Sequence, residues 1–210
     1  MGLRSEIIDI FRKDWNLFLA TNALFFGATG IGALVAFFLP ETQVAVLAVF
    51  AQELKSGTLS PVGGAYGTGN ILKAAWMTFA NNLVYGTIQS LTLPSFLFPP
   101  YALLMGVLRA LTWGIAFIIP QGQMTLRVVL PHLLTLLIEG EAYVIAIFGC
   151  LRQAEGLLWP ARLGETSRVG GYLRAVRDNV RLLIPVTVIL VVGALYEAFE
   201  LLVIAGLYRT

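Results

Sequence analysis

The sequence predicts an all-α fold: a polytopic transmembrane helix bundle of about five spans, with interfacial amphipathic helices beside them. Three observations carry this reading. The chain is 58% hydrophobic and only 12% charged over 210 residues, whereas soluble domains carry about 25% charged residues. Its mean hydropathy is +0.81. Apolar runs long enough to cross a bilayer, roughly 20 residues each, recur along its length. The net charge of +2 is too small to point to nucleic acid. Cys150 is the single cysteine. It forms no internal disulfide and reads as a small packing residue in an apolar span.

Residues 1–16 carry charges of both signs and lack the pattern of a cleavable signal peptide. Ile7, Ile8, Ile10, Phe11 and Trp15 form one side of a short interfacial helix, with Arg4, Arg12 and Lys13 as its basic part. The alternative is a polar lead-in to the first span. Residues 17–210 form a single transmembrane domain. Its first span is 17–38, closed by Pro40, with a strip of Gly27, Gly30 and Gly32 where a second helix approaches closely. Residues 44–54 suit an amphipathic helix with Glu53 and Lys55 at its polar end. Residues 56–70, with five glycines and Pro61, read as an irregular loop. Gly67 and Gly69 lack the spacing and the Lys-Ser/Thr ending of a phosphate loop.

The second span is 71–91. Lys73 snorkels at its start, and Asn81 and Asn82 near its middle need partners on neighbouring helices. Pro94, Pro99 and Pro100 then make a short turn into the third span, 101–119. Arg109 lies about two turns into that span. It either snorkels to a surface or pairs with an acidic group inside the bundle.

The fourth span, 128–151, holds the only histidine of the chain, His132, together with Glu139 and Glu141. A charge near mid-membrane costs roughly 2.5–3.5 kcal/mol on insertion scales, so these groups need partners or a wet cavity. His132 and Glu139 are seven apart and share a helix face. Glu141 lies roughly 200° around from Glu139. One carboxylate therefore faces the interior, and the other reaches an interface or a break at Gly140.

Residues 152–181 form the basic cytoplasmic segment, with Arg152, Arg162, Arg168, Arg174, Arg177 and Arg181. From Tyr172 on, its arginines share one helical face, as in a helix lying on an anionic membrane surface; a solvated loop with a helical elbow is the plainer reading. The fifth span, 182–207, has Pro185 in its first turn, Glu197 and Glu200 late on one face, and Arg209 at its exit. Five spans place the termini on opposite sides. The positive-inside rule puts the N-terminus and the arginines of 152–181 in the cytoplasm.

Four features are candidates for function: Asn81 with Asn82, Arg109, His132 with Glu139 and Glu141, and Glu197 with Glu200. Catalysis is poorly supported. The sequence has no second histidine, no His-Glu-x-x-His and no nucleophile elbow, and one histidine is thin for a zinc site. No cofactor or metal is expected. Acidic and histidine side chains inside a bundle suit proton or cation transport, or they pair with one another and fix helix register. Depths counted at about 1.5 Å per residue predict two pairs, Arg109–Glu139 near the middle and His132–Glu197 nearer the outside.

Taken in order, these features resemble the stage II sporulation protein M family. The amide-bearing second span, Gly106 in the third, the Leu-Pro131-His132 opening of the fourth and Ala-Leu-Tyr-Glu197-Ala-Phe in the last carry the likeness, over about 17–207. Leu133 replaces the glycine of that family's Pro-His-Gly opening. Leu136 stands where its glutamate follows one turn on; the acids here come later, at Glu139 and Glu141. The resemblance implies a non-enzymatic scaffold in a bacterial or archaeal cell membrane, lying in the lipid bilayer and organising envelope proteins such as peptidoglycan hydrolases; association into a homo-oligomer stays open beside it. The alternative is a transporter or channel for protons, cations or a small solute.

Overall fold

A computed structural model describes residues 2–122 and 124–206 and is all-helical, with no strand among the described residues. Arg209 and the end of the fifth span lie outside them. Helix α1 (Leu3–Lys13) is followed after Asp14 by α2 (Trp15–Phe38). Pro40 stops α2 and opens α3 (Pro40–Ser56), as a proline without an N–H suits a first helical turn. Helix α4 (Ser60–Tyr66) is short. Helix α5 (Ile71–Ala80) starts at Asn70, whose side chain accepts from the Lys73 N–H. It continues without a break into a π-helical segment, Asn81–Thr92, and then α6 (Leu93–Leu97). Helices α7 (Tyr101–Phe117), α8 (Leu126–Leu158) and α9 (Arg168–Phe199) complete the bundle, α9 ending in a π-helical turn, Glu200–Ile204.

Three helices are long and apolar enough to cross a membrane: Trp15–Phe38, Leu126–Leu158 and Arg168–Ile204. Tyr101–Phe117 is a shorter apolar helix. In α8, 72% of the most apolar window is buried, against 28% in α2 and 33% in α9. Helix α8 is therefore the central element, and the others wrap it. It runs antiparallel to α9, since His132 meets Glu200 at one end and Arg152 meets Asp178 at the other.

Glycines set the closest approaches. A Cβ at Gly156 would meet the Gly171 carbonyl between α8 and α9. A Cβ at Gly114 would meet the Thr29 carbonyl, and one at Gly32 the Leu111 carbonyl, between α2 and α7. Gly27 and Gly30 face open space, so of the expected strip only Gly32 is a packing position. Helix α1 docks on the bundle through Ile10, which is buried, and Phe11, which stacks on Phe148 at 5.6 Å and meets Phe18 edge-on at 5.0 Å.

Several boundaries differ from expectation for identifiable reasons. Residues 56–70 are not wholly irregular, because Pro61 sits in the first turn of α4, where it is tolerated. Pro94 does not end the second span either; it lies inside the continuous helical run 71–97, just past the π-helical segment. Gly140 is no break; α8 passes through it beside Phe25 and Phe26. The arginine segment 172–181 is not a separate surface helix. Its opposite face, with Gly171, Ala175, Asn179 and Leu182, is buried, so it extends α9 along α8 and leaves Pro185 in the helix interior.

Candidate functional site

Between α7, α8, α9 and the π-helical segment 81–92 lies a cavity of about 580 Å³, with α3 and α4 closing one side. Asn81, Asn82, Arg109, His132, Glu139 and Glu197 all line it. Phe50 and Leu54 of α3, Leu59 just before α4 and Val62 of α4 form its cover. A smaller cavity of about 400 Å³ adjoins it and shares Asn81, Gly86, Arg109 and Thr112 with it.

Each polar group is held from a different element. Glu139, buried on α8, accepts from the Asn82 side-chain amide at 2.8 Å. The Asn81 side-chain amide donates to Asn82 Oδ1 at 3.4 Å. Arg109 of α7 donates to the Gly86 carbonyl at 2.8 Å and to the Ser90 hydroxyl at 3.1 Å. Its guanidinium lies 4.1 Å from the centre of the Tyr143 ring, a cation–π contact in an apolar setting. Trp113 meets Tyr143 edge-on at 5.5 Å. His132 Nδ1 stands 2.5 Å from Glu200 Oε1, with both side chains buried and Phe117 edge-on to the imidazole at 5.0 Å.

Glu197 faces the cavity within electrostatic range of Glu139, His132 and Glu200. No described residue gives it a hydrogen bond. Glu141 points elsewhere, toward Asn22 on α2.

The two expected ion pairs do not form. Arg109 does not bond Glu139; it donates to the Gly86 carbonyl and Ser90 hydroxyl of the π-helical segment, while Asn82 on the same segment takes the carboxylate. His132 pairs with Glu200 instead of Glu197. The two glutamates share a face, and Glu200 opens the π-helical end where its side chain is buried against α8. Both π segments thus carry cavity or near-cavity residues, a recurring use of π-bulges at functional sites.

Three features were not singled out by sequence. Tyr143 and Trp113 form an aromatic wall; a tyrosine in an apolar run reads as ordinary core. Gln43 of α3 is fully buried and donates to the Ala116 and Ile119 carbonyls at 3.0 and 2.9 Å, tying the cover to the end of α7. Arg152, assigned to the basic cytoplasmic stretch, is only 1% exposed and pairs with Asp14 and with Asp178 at 2.8 Å. The available signal was Asp178, the one acid among the arginines of 168–181. No group of three or more metal-ligating side chains occurs among the described residues.

Fold and site together define an all-helical protein with membrane-length helices and a largely apolar cavity inside the bundle that holds a few ionisable and amide side chains. Comparison with protein families, curated proteins and solved structures finds no match for the chain.

Proposed function

We propose that the protein is a membrane transporter that binds a small organic cation in the central cavity, with protons as the exchanging ion. The observation that carries the reading is Glu197, a carboxylate without a hydrogen-bond partner among the described residues, facing a cavity of about 580 Å³ inside the bundle. Two carboxylates, Glu139 and Glu197, face one arginine across that space. An uncompensated charge there is costly, so Glu197 takes up either a proton or a cationic ligand, and the two compete. The Trp113 ring, beside the Tyr143 ring that Arg109 covers, suits the apolar body of an organic cation. The volume falls in the usual range for small-molecule sites, about 300–1,000 Å³.

Five crossings with the N-terminus inside complete this reading. The continuous helical run 71–97 and the shorter α7 add to the three long helices, and the α3–α4 hairpin covers the cavity from the outer side. Proteoliposomes with an acidic interior test the transport. They are expected to accumulate tetraethylammonium, and Glu139→Gln and Glu197→Gln are expected to abolish uptake. Glu141→Gln, on the α2 side, should leave it unchanged. Uptake no greater than in empty liposomes, or uptake indifferent to both cavity substitutions, overturns the proposal.

The second reading is the non-enzymatic scaffold of the resembled family. The specific observation in its favour is the end face of exposed Arg162, Arg168 and Arg177, a surface for an acidic envelope partner. Co-purification of a stable peptidoglycan-hydrolase partner from native membranes, with no cation flux, would favour it.

A further inference from the structure

We infer that the bundle end opposite the cavity cover carries a binding site for a phosphate group, supplied by an anionic lipid headgroup or by free phosphate. A separate cavity of about 360 Å³ lies there between α1, the start of α9 and the end of α8. Its lining includes five cationic side chains and three acidic ones. The ion pairs within it decide which charges are free. Arg152 is occupied by Asp14 and Asp178. Arg181 is occupied by Glu6 at 2.9 Å and Asp178 at 3.3 Å. Arg177 and Lys13 have no ion pair among the described residues, and Arg174 has only Glu165 at 3.8 Å, outside the cavity lining. Asp9 is the one lining acid left without a pair. The free charge is therefore positive, with Lys13 on α1 and, on α9, Arg174 and Arg177 three residues apart.

A planar guanidinium matches phosphate oxygens two at a time. The depth also fits. Trp15 and Trp159 are half-exposed at this same end, at the start of α2 and just past α8, and tryptophans mark the headgroup level of a bilayer. Basic pockets between helices at this level take anionic headgroups.

The test uses the full-length protein in detergent, with lipid retention read by native mass spectrometry and inorganic phosphate by equilibrium dialysis. The probes are short-chain phosphatidylglycerol, short-chain phosphatidylcholine and inorganic phosphate. Phosphatidylglycerol held about tenfold more tightly than phosphatidylcholine identifies a lipid headgroup as the source. Saturable binding of inorganic phosphate without that preference identifies free phosphate. In either case the double variant Lys13→Gln/Arg177→Gln is expected to lose the binding, and Arg177→Lys, which keeps the charge but not the planar fork, to bind at a level between the parent and the double variant. Unfolding temperature in detergent alone checks the fold, since neither residue has an ion-pair partner to lose. Equal retention of the two lipids with no phosphate binding overturns the inference. So does a folded double variant that binds as the parent does.

Discussion

At the scale of single residues, two buried charge clusters hold the ends of α8, and each makes a measurable demand. Arg152 sits between Asp14 and Asp178 with almost no solvent contact. Removing one member of a buried ion pair costs about 3–5 kcal/mol, because the others are left uncompensated, whereas replacing all members by apolar groups is often neutral. Arg152→Met is therefore expected to destabilise the protein by about that amount. The triple change Asp14→Asn/Arg152→Met/Asp178→Leu should recover most of it, as read by thermal unfolding in detergent. At the other end, His132 and Glu200 are buried at 2.5 Å. A double-mutant cycle with His132→Phe and Glu200→Gln is expected to show coupling of about 1–3 kcal/mol. Additive single effects would mean that the contact contributes nothing to stability. The sequence made the need for partners legible: a carboxylate in an apolar run cannot stand alone. It did not reveal which partners, because depth follows from the rise per residue while the direction of a side chain depends on packing and on the π turns at 81–92 and 200–204.

At the scale of elements, apolar length located the helices at 17–38, 101–119 and 128–151 to within a few residues of α2, α7 and the core of α8. What failed was punctuation. Pro94 and Pro185 read as a stop and a start, yet both lie within helical runs, because inside a packed membrane bundle the backbone group a proline frees can be satisfied by neighbours. The glycines separate in the same way. Gly27, Gly30 and Gly32 look equivalent along the chain, but only Gly32 meets another backbone. Helices α2 and α7 therefore predict a clear contrast. Gly114→Ala places a methyl against the Thr29 carbonyl and should push the helices apart, at about 1–3 kcal/mol. Gly27→Ala meets nothing and gains helix propensity, so it is expected to be neutral or slightly stabilising. Unfolding temperatures of the two variants in one detergent check this; equal losses would contradict the close approach.

At the scale of the whole molecule, hydrogen bonds sort the connections into two ends. Gln43 bonds the end of α7, Gln121 donates to the Pro40 carbonyl at 3.1 Å, and Arg127 donates to the Ile204 carbonyl at 3.0 Å; these mark one end. Arg152 with Asp14 and Asp178, and Tyr172 donating to the Phe96 carbonyl at 2.6 Å, mark the other. The exposed arginines Arg12, Arg162, Arg168, Arg174 and Arg177 belong to this second end. Cytoplasmic loops carry the excess of Lys and Arg, so the second end is expected to face the cytoplasm. Thr68→Cys, in the exposed connection between α4 and α5, should then react with a membrane-impermeant maleimide on intact cells. Thr166→Cys, just before α9, should react only after permeabilisation. Cys150 is fully buried and should stay silent in both. Labelling of Thr166→Cys but not Thr68→Cys on intact cells would invert the molecule, carrying the basic end and its phosphate site to the outer leaflet.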